Sequence, residues 1–106
     1  MSLDQAQRAL NQIDKDIADL EKKMADLSRK EADKTKRIGD IQRSITKNTS
    51  ASMIQSKLRQ IDSYQKEFTK IVSDKADVNK KLADKRKKRT DASIRLQKEE
   101  ATQIKV

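Results

Sequence analysis

From Leu3 onward the apolar side chains return at intervals of three and four: Leu3, Ala6, Leu10, Ile13, Ile17, Leu20, Met24 and Leu27, then Ile38, Ile41 and Ile45. A line of this heptad spacing runs along one side of a helix and has to be covered by another helix. Glu31 and Lys34 hold the two seam positions between the runs, and polar residues there fix register or loosen the contact locally. Ser2 and Gln5 have the spacing of a capping box, so the first helix is expected over about residues 3–47.

The pattern breaks at KNTSAS (47–52), a cluster of small polar side chains that compete for backbone hydrogen bonds and favour turns. A turn is expected over 48–51. Ser52 and Gln55 repeat the capping-box spacing and predict a second helix over 52–102, with its seam through Ile54, Leu58, Ile61, Phe68, Val72, Leu82 and Leu96. Folding the chain back at 49–50 pairs residues whose numbers sum to about 99, such as Ile45 with Ile54, Ile41 with Leu58, Leu27 with Val72 and Ile17 with Leu82. A short connection favours antiparallel neighbours. The expected fold class is all-α, a long antiparallel two-helix coiled-coil hairpin forming one domain over residues 1–106.

Composition narrows the chemistry. With 33% hydrophobic and 41% charged residues, the chain has too little apolar surface for a large globular core. It has no proline and one glycine, Gly39, so long helices can run uninterrupted. Cysteine and histidine are both absent, which removes disulfides, thiolate chemistry, the usual zinc sites and histidine acid–base catalysis. Serine, lysine and carboxylate side chains are plentiful, yet a helical hairpin offers no cleft to desolvate or orient them. No catalytic, cofactor-binding or metal residue is assigned, no cofactor is expected, and the chain is read as a non-enzyme. The N-terminus lacks a basic head followed by an apolar run, and no apolar stretch is long enough to span a bilayer. The expected location is cytoplasmic. On that reading the acceptor triplet Asn48-Thr49-Ser50 is a chance match rather than a glycosylation site.

The net charge of +9 is uneven: residues 1–47 hold 11 basic and 9 acidic side chains, and residues 48–106 hold 15 and 8. Lys80, Lys81, Lys85, Arg86, Lys87, Lys88 and Arg89 form the densest run, a candidate contact for nucleic acid or another polyanion. The commoner origin of such a run is a solvated helix face. Tyr64 and Phe68 are the sole aromatics, so base stacking is poor and nucleic-acid binding is expected to be weak and non-specific.

Two further columns suggest self-association. Tyr64, Ile71 and Val78 recur seven apart beside the second seam, and Ala18, Ala25, Ala32 and Gly39 do so on the first helix. Small side chains let another helix come close, and glycine inside a helix costs about 1 kcal/mol relative to alanine and tends to be kept where a backbone approaches. The expected partner is a second copy, giving a dimer packed as a helical bundle, with a helical protein partner as the variant of this reading.

The segment RIGDIQRSITKNTSASMIQSKLRQI (37–61), followed by a basic helix ending in LQKEE (96–100), resembles the N-terminal coiled-coil segment of bacterial TIR-domain (Toll/interleukin-1 receptor-like) proteins over roughly residues 37–100. In that family the coiled coil precedes a TIR domain, which in many bacterial members cleaves NAD, and is thought to promote self-association. The resemblance implies an assembly segment that clusters an attached effector domain. No catalytic residue is carried over by it.

Overall fold

The computed structural model describes residues 2–104 and consists of two helices, α1 (Leu3–Ser44) and α2 (Ala51–Ile104), that form a hairpin. No strand occurs among the described residues. The hairpin divides into two compact units, one from Met1–Met24 with Val78–Val106 and one from Ala25–Asp77. Each contains a stretch of both helices in antiparallel contact, where one expected domain stood in the sequence reading.

α1 begins with the capping box that its first residues predict. The Ser2 amide donates to Gln5 Oε1 and the Gln5 amide to Ser2 Oγ, both at 3.1 Å, so two otherwise orphaned amides are satisfied. α2 starts differently from expectation. Its cap is Ser50 and not Ser52: Ser50 Oγ accepts from the Met53 amide at 3.3 Å and the Ser50 carbonyl from the Ile54 amide at 2.9 Å. Gln55 therefore has no capping role. Ser50→Ala is expected to lower stability by about 1 kcal/mol in a urea titration, while Ser52→Ala changes it by less than about 0.5 kcal/mol.

α1 also ends earlier than expected, at Ser44 rather than 47. The hydroxyl of Thr49 accepts from the Thr46 amide at 2.9 Å and that of Thr46 from the Asn48 amide at 3.3 Å, so side chains divert the amides that would have extended the helix. The exposed carbonyl end is closed by Lys57, whose ammonium donates to the Ser44 carbonyl at 3.1 Å and to Ser44 Oγ at 2.7 Å. A cation at a helix C-terminus is favoured by the backbone dipole.

In the unit of Ala25–Asp77, Leu27, Ile61 and Ile71 are buried at 8% exposure each, and Ile38, Ile41, Ile45, Ile54, Tyr64 and Phe68 are half-buried. In the other unit the buried residues are Ala6, Leu10, Ile17, Val78 and Leu82, with Ile13, Leu20, Met24 and Leu96 half-buried. Every residue assigned to the first seam thus faces α2.

The second seam needs correction. Leu58 and Val72 are 53% and 44% exposed, so neither belongs to it. The covered positions of α2 run Ile54, Lys57, Ile61, Tyr64, Phe68, Ile71, Lys75, Val78, Leu82 and Lys85, an unbroken alternation of three and four. Two of the residues taken for an outer column, Ile71 and Val78, are buried, and Tyr64 is half-buried. They form the second column of the hairpin seam. The error has a simple cause: lysine occupies positions 57, 75 and 85, and a seam traced through apolar residues alone steps aside to the adjacent Leu58 and Val72. Lysine can hold such positions because its aliphatic stem packs while its ammonium reaches the edge. The register shifts with the seam. Lys34 pairs with Glu67, Lys57 with Ser44 and Lys85 with Asp16, numbers that sum to 101, while Arg89 with Asp14, Lys75 with Glu31 and Arg86 with Glu21 sum to 103, 106 and 107; all exceed the sum of about 99 that was expected.

Candidate interaction surface

Two polar crossings lie within the Ala25–Asp77 unit. Lys75 approaches both carboxylate oxygens of Glu31 at 3.4 Å, and Lys34 meets Glu67 at 3.2 Å. Lys34 also lies over the Tyr64 ring, 5.3 Å from its centre, with the Arg37 guanidinium at 5.8 Å. Arg37 Nε donates to Asp33 at 2.9 Å. That bond holds the Asp33 carboxyl below its usual range and, together with Tyr64, raises the already high pKa of Arg37. Cation–aromatic contacts of this kind are attractive through the ring quadrupole.

The two flanks of the seam in this unit differ in chemistry. One groove has Leu27 and Ile71 at its floor and is walled by Lys30, Asp33, Glu67, Lys70 and Asp74. The other, an open groove of about 610 Å³, is lined by Thr35, Lys36, Ile38, Gly39, Gln42 and Arg43 of α1 with Gln65 and Phe68 of α2. A Cβ at Gly39 would meet the Arg43 guanidinium at 3.3 Å. The close neighbour within the chain is thus a flexible side chain and not a second backbone. Ala18, Ala25 and Ala32, the other members of that small-residue column, are exposed.

The basic run of α2 is largely occupied within its own unit. Lys85 donates to Asp16 at 3.0 Å and Arg89 Nε to Asp14 at 2.5 Å, Arg86 lies 4.0 Å from Glu21, and Lys88 pairs with Asp84 at 3.5 Å. Lys85, with help from Gln12, keeps the Asp16 carboxyl below its usual range. Of the seven residues proposed as a polyanion contact, Lys80, Lys81 and Lys87 have no carboxylate within 4 Å among the described residues. The groove beside them is lined by Asp16, Asp19 and Asp84 as well as by Lys81 and Lys85. Intrachain carboxylates therefore compete with phosphate for the same cations. No family model, characterised protein or solved structure matches the chain.

Among the described residues no group of His, Cys, Asp or Glu is arranged to hold a metal ion, and no helix is long and apolar enough to cross a membrane. The ion pairs in exposed i,i+3 and i,i+4 positions, such as Asp26 with Arg29 and Asp40 with Arg43, belong to solvated helix faces. Each is worth at most a few tenths of a kcal/mol, about 0.3–0.5 in typical helices.

Proposed function

We propose that the chain is an oligomerisation module: a coiled-coil hairpin that associates with further copies of itself and thereby gathers attached domains, of TIR type if the sequence resemblance is followed. The observation that carries this reading is exposure. The chain leaves 8015 Å² accessible, whereas a folded monomer of 12.2 kDa exposes roughly 6,000 Å². Among the described residues eight hydrophobic side chains are buried and no polar one is. A hairpin with so small an interior gains little to offset the entropy of ordering its chain. Burial against another copy supplies what one copy lacks. Linking domains to such a module raises their effective concentration toward one another, with no new contact between them.

Sedimentation equilibrium over a concentration range, with and without duplex DNA in a salt series, tests this reading against polyanion binding. The expected mass exceeds that of one chain at tens of micromolar and, at physiological salt, is unaffected by DNA. DNA association through Lys80, Lys81 and Lys87 is expected at low salt and fades toward physiological ionic strength. A chain that stays monomeric throughout overturns the assembly reading; tight DNA binding that survives physiological salt would replace it with a polyanion-binding function.

A further inference from the structure

We propose that a second copy of this chain docks on the uncharged flank of the Ala25–Asp77 unit, so that α2 of each copy lies over α1 of the other. This rests on the self-association reading and specifies the surface that carries it.

The groove of Thr35, Gly39, Gln42, Gln65 and Phe68 fixes which columns share that flank. Steps of seven residues extend it to Ser28, Ala25 and Ala32 on α1 and to Leu58 and Val72 on α2. Thr69 and Ala76 belong to the adjoining column of α2. In a chain with 41% charged residues, Asp62 is the one charge in these columns, and it pairs with Lys66 on its own helix at 3.1 Å. The opposite flank of the same unit carries Lys30, Asp33, Glu67, Lys70 and Asp74. The corresponding columns of the other unit carry Asp14, Glu21 and Arg86. The uncharged surface is therefore confined to one side of one unit.

Its shape selects the occupant. The large side chains, Leu58 and Val72, are on α2 and stand 53% and 44% exposed, while the small ones, Ala25, Ala32 and Gly39, are on α1. A twofold rotation that brings α2 over α1 of the other copy puts Val72 against Ala25 and Ala32 twice. Such self-complementarity is what an isologous dimer requires, and the product is a four-helix arrangement of familiar packing. In the register set by Lys34 and Glu67, Val72 stands level with the stretch from Ala25 to Ala32, and Leu58 with Gln42 and Arg43. Lys36 and Arg43 are the charges that border this surface, and Arg43 is paired with Asp40 on its own helix. A dimer of standard size removes about 800 Å² from each copy, roughly a tenth of the 8015 Å² that the chain exposes.

The test uses the full chain, with mass measured by light scattering and sedimentation, and helix content by circular dichroism. Wild type is expected at twice the chain mass at tens of micromolar. Val72→Glu and, independently, Ala32→Arg should raise the dimer dissociation constant by at least about 100-fold, since each places two charges in the interface. Both lie outside the seam, so helix content is expected to persist at high concentration. Lys70→Glu, on the charged flank, should leave the mass unchanged. A monomeric wild type overturns the proposal and the assembly function together. A wild-type dimer that survives both Val72→Glu and Ala32→Arg overturns this surface alone and leaves self-association standing.

Discussion

Val78→Asp is expected to destabilise the hairpin by about 3–5 kcal/mol, because it places an unpaired carboxylate in a site that is 2% exposed. Small domains have total stabilities of about 5–15 kcal/mol, and a two-helix hairpin belongs at the low end, so most of the cooperative thermal transition should vanish. Val72→Asp is the informative control. Six residues away and 44% exposed, it should retain the helical signal at concentrations where Val78→Asp has lost it. The two variants together distinguish the seam through Ile71, Val78 and Leu82 from one through Val72. Loss in Val72→Asp alone would return Val72 to the seam and remove Val78 from it.

The double substitution Glu31→Leu with Lys75→Leu acts in the opposite direction. Both side chains occupy seam positions and are 29% and 26% exposed, so part of the cost of desolvating two charges is borne by the hairpin. Their separation of 3.4 Å is long for a charge-assisted hydrogen bond. Apolar replacements of similar size should raise stability by about 1–2 kcal/mol in a urea titration, a value reduced from fully buried pairs because solvent still reaches this one. Glu31→Leu alone should give less than half that gain, since Lys75 then keeps its half-buried ammonium without its partner. The expected loss is one of specificity. With the polar crossing gone, the seam reads as uniform apolar layers, and alternative registers or larger assemblies become accessible. A double variant less stable than wild type would show that the pair holds the hairpin together and does more than fix its register.

Such a register device is legible in the sequence on α1, where Glu31 and Lys34 interrupt an otherwise apolar line. On α2 the matching residue is a lysine within a lysine-rich helix, and nothing local distinguishes Lys75 in the seam from Lys70 on the surface. The same difficulty concealed Lys57 and Lys85. Their place depends on which acceptors the other helix presents: the Ser44 carbonyl for Lys57, Glu31 for Lys75 and Asp16 for Lys85. These acceptors lie 13, 44 and 69 residues away in sequence, beyond the reach of any local pattern.

The counter-charges of the basic run of 80–89 were hidden from the sequence for a related reason. Counted along the chain it is a dense cationic stretch. In the fold, the α1 carboxylates of Asp14, Asp16 and Glu21 come beside Arg89, Lys85 and Arg86. Charge density along a sequence omits the counter-charges that a returning helix brings.

By itself the sequence determined that there are two helices, that the chain reverses near residues 48–51, and which line of α1 is covered. Helix periodicity, the absence of proline and the competition of serine and threonine hydroxyls for backbone amides act over a few residues, so a local reading captures them. Only the tertiary structure decided which line of α2 answers that of α1, which serine caps α2 and which lysines lie inside the seam. Those choices compare the burial of an aliphatic stem against the burial of a neighbouring Leu58 or Val72, and the comparison is settled by register with the other helix. It is that register, through Lys34, Lys57 and Lys85 and their partners, that leaves Leu58 and Val72 facing outward on the uncharged flank.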